Sequence, residues 1–369
     1  MNKFKFYFIV LITTVSLFSC SKKDDEIAVE PPRDFSVQYT TDIAVIEEYL
    51  KNNYITIVNH PGFADDLDVT ISKIDNGQPS IMSYLDSPTY PKLLVRPVKL
   101  HDVPYKLYYL ILRPGVGISP CSVDGVLTSY KGTYLTRTTA TAAVPSEITA
   151  TFFEELRFPQ TSMSLYSVIT GWSEVFPQFK TGTSVINPDG TVSHKDFGAG
   201  VMFIPSGLAY FNSISGTIPA YSPLVFSFKL YNIERLDQDN DGVYSYQEDL
   251  NNDGYVYDFR NTTAYPTTPD VVIRDANDFP DQDGIPNFLD VDDDGDNYTT
   301  KLEITKPDGT NSGLSKYFPY DPIADDPTTT TIETESQGIP EYSATGTPDY
   351  TTPGRKRIHV DKDHHTAKP

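Results

Sequence analysis

Between Asp237 and Glu248 the chain reads DQDNDGVYSYQE, and its oxygen-bearing side chains fall at a spacing that suits one ion. Asp237, Asp239 and Asp241 take positions one, three and five of a twelve-residue stretch, Gly242 position six, Ser245 position nine and Glu248 position twelve. Alternate oxygens can wrap a single hard cation, with the Val243 carbonyl between them. The glycine permits a sharp turn, and the final glutamate can close the shell with two oxygens. Calcium is the expected ion, because it accepts many oxygen ligands in a flexible shell. A second start follows at Asp249, with Asn251, Asp253 and Gly254, but Arg260 stands where the closing acid belongs. Weaker or shared binding is expected there.

The twelve-residue pattern resembles the calcium loop of EF-hand proteins. Farther on, DQDGIPNFLDVDDDGD is similar to thrombospondin type 3 repeats, whose Asp-rich turns wind around several calcium ions. That resemblance implies Asp281, Asp283, Asn287, Asp290, Asp292, Asp294 and Asp296 as ligands, with Glu303 as a further candidate. Pro286 argues against flanking helices and for a calcium-organised loop. So much charge with so few apolar residues should not order without a cation, and the expected role of calcium is structural.

A different chemistry is suggested upstream. In VMFIPSGLAYFNSISGTIPAYSPLVFSFKL, residues 201–230, two apolar runs flank a tip rich in glycine, serine and proline: a strand, a long loop carrying Tyr210 and Ile218, and a returning strand. Before it lies SVITGWSEVFPQFKTG, with Trp172, the only tryptophan. Together these resemble the C-terminal half of FKBP-type peptidyl-prolyl isomerases, a likeness that extends over residues 105–235. It implies an α+β fold, an FKBP-like curled antiparallel sheet over a short helix. It also implies a substrate pocket in which Val168 and Ile169 line the base and the Trp172 indole lies beneath the substrate proline. Tyr130 would line the pocket from Tyr130-Lys131-Gly132, and Phe153-Glu154 would stand where the family has Phe-Asp. Tyr210 would hydrogen-bond the peptide, Ile218 would be the loop isoleucine, and Phe226 the aromatic of the last strand. The chain departs from the family in having Glu154 for Asp, and Phe211 where glycine follows the loop tyrosine.

Such a site suits the reaction. Rotating a peptide bond costs about 18–20 kcal/mol because resonance is lost midway, and no bond is made or broken. The catalyst needs neither nucleophile nor metal, only tighter binding of the twisted amide. A water-excluding aromatic pocket with a fixed phenol provides that. Proline-containing proteins would be the substrates. Two other readings stay open: a non-catalytic peptide-binding or chaperone module on the same fold, stabilised by calcium, and a calcium-dependent adhesin.

The elements that must carry these sites occupy part of 369 residues with 38% hydrophobic residues, 22 glycines and 29 prolines, which leaves much of the chain for loops. The net charge of -21 is concentrated between Glu234 and Glu303 and points to cation binding. A pI near 4.5 argues against nucleic acid. Residues 1–19 read as a secretory signal, with Lys3 and Lys5 before an apolar run Phe6 to Phe18 too short to span as a permanent helix. The ending Leu17-Phe18-Ser19-Cys20 resembles the bacterial lipobox, which implies a lipidated Cys20, a membrane anchor, and an outer-membrane lipoprotein on the periplasmic or cell-surface side; a plain signal peptide is the alternative. Ser21-Lys22-Lys23-Asp24-Asp25-Glu26 is similar to a lipoprotein surface-export signal, or is a solvated tether.

Residues 20–35 are a linker, and 36–104 an N-terminal extension. There a helix starts at Asp42, with Ile43, Ile46, Tyr49 and Leu50 at helical spacing, and VTISKI and KLLVRPV read as strands. The isomerase-like domain spans 105–235, the acidic segment 236–304, and a low-complexity tail 305–369. In that tail Arg355-Lys356-Arg357 and His364-His365 read as solvated. His60 and His101 are isolated, His194 is expected to be exposed, and Cys121 has no partner for a disulfide. A monomer is expected.

Overall fold

The computed structural model describes residues 31–141, 145–267, 283–307, 315–325 and 334–365. From Asp34 onward the described residues form one compact unit. The lipobox-like ending with Cys20, the charged stretch after it and Asp281 lie outside the described residues.

Helix α1 (Phe35–Asn52) begins earlier than the apolar spacing indicates, because Asp34 caps it: Asp34 Oδ1 accepts from Ser36 N at 2.8 Å and Val37 N at 3.2 Å. Asp42 therefore lies inside the helix and is buried. Strands β1 (Asn53–Ile57) and β2 (Val69–Lys73) pair as a hairpin after it.

The main sheet is antiparallel and curled. Its strands are β3 (Lys92–Leu100), β4 (Val103–Arg113), β5 (Gly125–Arg137), β6 (Ile148–Leu156), β7 (Met163–Ser164), β10 (Gly198–Ile204) and β11 (Leu224–Glu234). The order is β3-β4-β10-β11-β5-β6, with β7 on β5. The sheet thus takes an edge strand, β3, from ahead of the boundary drawn at residue 105. Helix α2 (Thr170–Val175) continues into a 3-10 turn, Phe176–Gln178, where Pro177 is accommodated. Strands β8 (Thr183–Ile186) and β9 (Val192–Lys195) form a separate hairpin around Asp189-Gly190.

Both faces of the sheet are covered, which explains why its central strands are apolar runs and not alternations. Leu107, Tyr109 and Ile111 of β4, Met202 and Ile204 of β10, and Phe226 and Phe228 of β11 pack with Trp172, Val175 and Phe176 of the α2 layer. The intervening Tyr108, Leu110, Leu112, Val201, Phe203 and Val225 pack with Val45, Ile46, Tyr49 and Leu50 of α1. The two-residue period of a strand sends successive side chains to these two cores.

The segment after β11 is built onto the sheet. Ser122 N donates to Gly254 O at 2.9 Å, Arg235 pairs with buried Asp124, and Cys121, Val123, Val256 and Phe288 share a small core. Burial pushes the Cys121 thiol up to about 12, so it is inert at neutral pH. The stretch 305–369, expected as a low-complexity tail, contains a core of its own. Phe318, Ile339 and Ile358 pack with Val243 and Ile304, and between Ile339 and Ile358 the chain forms two short strands, β12 (Glu341–Tyr342) and β13 (Pro348–Asp349). Arg355 and Arg357, expected to be solvated, are buried: both hold Asp321, and the Arg357 guanidinium lies 3.4 Å from the Tyr320 ring centroid. Scattered isoleucines and aromatics suffice for a small core that a count of polar residues hides. His194 is half-buried and not exposed, since its ring stacks on Tyr231 at 4.5 Å. No helix among the described residues is long and apolar enough to cross a membrane. Helix α3 (Thr300–Glu303) lies within the acidic segment.

Candidate functional site

A cup of aromatic rings gathers where α2 meets the sheet. Trp172 is only 4% exposed and forms its floor. The rings of Tyr130 and Phe226 stand edge-on to the indole at 5.0 and 5.2 Å, and Phe176 lies at 5.3 Å. Phe153 meets Phe226 edge-on at 5.6 Å. Edge-to-face contacts of this kind lock each ring's orientation. The register explains how Phe153 arrives there. Gly132 of β5 faces Phe226 on one side and Glu154 on the other, and a bulge follows Gly132 in the β5–β6 pairing. A Cβ on Gly132 would sit 2.4 Å from the Phe153 ring, so the glycine makes the room that Phe153 fills. Val168 and Ile169, just before α2, are half-buried against the same core, as are Tyr130 and Phe153. Ile218 is buried, and Tyr210 stands on the rim at 37% exposure.

The polar groups of the cup are few. Glu154 accepts from the Tyr130 hydroxyl; burial first, and that carboxylate second, hold the phenol protonated well above its usual range, with Tyr210 adding to the effect. The Trp172 Nε1–H is buried and meets no acceptor. Beyond Val168 a groove of about 410 Å³ runs between Leu165, Tyr166 and Thr170 on one side and Tyr257, Tyr265 and Phe288 on the other.

The loop bearing Tyr210 is fastened by α1. Asp42 Oδ2 accepts from Ser206 N at 2.7 Å and Ser206 Oγ at 2.6 Å, and its Oδ1 accepts from Gln38 Nε2 at 2.6 Å. Phe211, which takes a left-handed φ of 49°, stacks on Phe35 at 3.9 Å, and Phe35 stacks on His101 at 3.7 Å. Such a φ costs a bulky residue roughly 1–2 kcal/mol, and the ring stack offsets it. Desolvation in this stack lowers the His101 pKa to about 4, so the ring is neutral. Asp42→Ala is expected to cost about 2–3 kcal/mol, because it removes a buried charged acceptor and strands the Ser206 N–H. Urea unfolding checks this, as a lower midpoint at unchanged slope.

The acidic segment holds three loops of one design. In the first, Asp237 Oδ2 accepts from Gly242 N at 3.2 Å, Asp239 Oδ1 from Asp241 N at 3.2 Å, and Asp241 Oδ1 from Val243 N at 2.7 Å. The carboxylates of Asp237, Asp239 and Asp241 converge to within 4.8 Å of one another. From Asp249 the same winding repeats: Gly254 N donates to Asp249 at 2.7 Å and Asp253 N to Asn251 at 2.9 Å, while Arg260 turns to Asp258. In the third loop, Asp292–Glu303, the expected ligands Asp292, Asp294 and Asp296 converge, although the twelve-residue spacing itself went unread. Asn297 N donates to Asp292 Oδ2 at 3.0 Å, Asp296 N to Asp294 at 3.2 Å, and Tyr298 N to Asp296 at 2.7 Å. Asn297, with φ of 72°, replaces the usual glycine at position six and conceals the pattern; acids at positions one, three, five and twelve were the signal.

Burial and mutual repulsion raise the carboxyls of Asp239, Asp241, Glu248 and Glu303 far above the carboxylate range, and Asp294 to about 7. Both oxygens of Glu248 are buried without a hydrogen-bond donor. These donors suit a hard cation with oxygen ligands. Ser245 stands apart, its hydroxyl donating to Gln238 at 2.6 Å. Asn287 is buried, and neither exposed Asp283 nor buried Asp290 joins a group of converging acids among the described residues.

The acidic segment also touches the cup's helix. Tyr255, in the second loop, donates its hydroxyl to Glu174 O at 3.0 Å and accepts from Gln178 Nε2 at 2.7 Å. Arg96 lies 3.5 Å from the Tyr255 ring centroid and pairs with buried Glu174 at 2.6 Å.

The family described as BamM C-terminal matches residues 238–331. No curated protein matches the chain. Among solved structures, a peptidyl-prolyl cis-trans isomerase from Pseudomonas syringae pv. tomato is similar at 22% identity and a TM-score of 0.26, over 41% of this chain and 86% of that one. FkpA from Escherichia coli is similar at 23% identity and a TM-score of 0.25, over 40% and 54%. The three FKBP domains of wheat FKBP73 are similar at 16% identity and a TM-score of 0.26, over 38% and 50%. The chain thus spans about half the length of the last two.

Proposed function

We propose that the protein is a peptidyl-prolyl cis-trans isomerase whose aromatic cup binds the proline of an X-Pro bond and favours the twisted amide. The observation that carries this reading is the Trp172 floor, flanked edge-on by Tyr130 and Phe226, with Tyr210 exposed beside Tyr130. A flat ring of that size accommodates a proline ring, and the walls of Phe153, Val168 and Ile169 exclude water from the amide. Tyr210, on the rim, holds the substrate backbone by its hydroxyl. The Tyr130–Glu154 pair fixes the phenol against the sheet, and the groove past Val168 takes residues flanking the proline.

The acidic loops bind calcium in a structural role, with Asp237, Asp239, Asp241, Val243 O and Glu248 as the first set and Asp292, Asp294, Asp296 and Glu303 as another. Support comes from the converging carboxylates and the donorless Glu248. The lipobox-like Cys20 supports a lipid-anchored protein of the outer membrane, and the BamM C-terminal match is in keeping with that location.

The test is cis/trans exchange of a short Phe-Pro peptide by the calcium-loaded protein, measured by NMR. Acceleration is expected, with Tyr210→Phe severalfold slower and its fold unchanged. Exchange no faster than in buffer, from folded protein, would leave a peptide-binding module in place of an enzyme.

A further inference from the structure

The first and third acidic loops meet at one carboxylate. In Asp292–Glu303 the odd positions Asp292, Asp294 and Asp296 turn toward one another. Asp293, at an even position, turns the other way. Its carboxylate joins Asp241 and Glu248 of the first loop, with oxygens of all three within 4.8 Å of one another. Each of these residues is 1% exposed. Three acids withdrawn from water at this separation repel strongly and lose hydration, a cost that only a cation or protons can offset. Both oxygens of Glu248 lack any donor.

The neighbours do not supply the charge. The Thr300 hydroxyl lies beside Asp293 and Asp241, and Lys301 directs its ammonium to Asn240 O at 2.8 Å. His359, from the C-terminal region, is buried with Nε2 4.0 Å from Asp293 Oδ2. An imidazole could set at most one charge against three carboxylates, and here it lies against Asp293 alone.

We propose that Asp293 is a ligand of the cation held by the first loop, so that residues 237–248 and 292–303 form one two-cation centre. The inference rests on reading these loops as calcium sites. A residue inside the later loop then completes the earlier one, and the cations fasten the intervening chain and the His359 segment to the sheet. The two loops should fill together, since ordering Asp292–Glu303 around its own ion also delivers Asp293 to the other.

The experiment is calcium titration of the chelator-stripped full chain by calorimetry, with Glu303→Gln identifying the later loop's step and Asp293→Asn tested in the otherwise native chain. Asp293→Asn should weaken the first loop's step at least tenfold. First-loop affinity unchanged by Asp293→Asn, with calcium still bound, would overturn the shared ligand and leave the calcium sites standing. No calcium bound by the wild-type chain would overturn both. Because either variant could misfold, hydrogen exchange on the wild-type chain serves as a second measure. Protection of 237–248 and 292–303 at one common calcium midpoint supports the centre, and two separate midpoints refute it.

Discussion

Trp172→Ala is expected to lower isomerase activity at least tenfold and to destabilise the fold by about 3–5 kcal/mol, the usual cost of emptying a large buried aromatic site. The indole touches Tyr130, Phe176 and Phe226, so its loss removes the cup's floor and frees two of its walls. Activity and stability must be separated, and Trp172→Phe does so: a smaller ring keeps much of the packing while leaving the floor short. The expectation for that variant is a protein folded in buffer, by near-UV circular dichroism, with exchange still well below wild type. Full activity in folded Trp172→Phe and Trp172→Ala would place the reaction elsewhere.

Chelating calcium is expected to lower the thermal midpoint, and by more at pH 8 than at pH 5. Ligand at a hundredfold excess over Kd adds about 2.7 kcal/mol per site. For a chain of this size that corresponds to roughly 3–5 °C per site. The pH dependence follows from the buried acids. In the cation-free protein Asp294 is raised to about 7 and Glu303 to about 10, from ordinary values near 3.8 and 4.5, by burial and neighbouring carboxylates. The folded state therefore holds more protons than the unfolded state above pH 4. Stability from these groups is fully present below that range and is lost as pH rises through the folded values. Calcium displaces those protons and binds better as pH rises, so the gap between loaded and stripped midpoints widens from pH 5 to 8. Equal midpoints, or a gap that narrows, would contradict a calcium role.

Much of the architecture was legible because it is written in local patterns. Tyr105–Arg113 and Leu224–Leu230 announce buried strands by unbroken apolar runs, and Asp237–Glu248 announces its turn by alternating acids and a glycine. The start of α1 was missed because its cap, Asp34, lies ahead of the apolar spacing. The acids of the third loop were named as ligands, but its twelve-residue spacing went unread because Asn297 takes a backbone conformation more often left to glycine. The core behind 305–369 was missed because its few isoleucines and aromatics are scattered between polar residues.

The sequence by itself determined the types and order of the groups: which residues are aromatic, which acids alternate, and where strands must be buried on both faces. Only the tertiary structure decided which of them meet. Asp42 reaches Ser206, Tyr255 reaches Glu174, and Asp293 reaches Glu248 across separations at which no local periodicity holds. The physical reason is that spacing along a strand or loop fixes the direction of a side chain, whereas its partner is chosen by how distant segments pack to bury apolar surface.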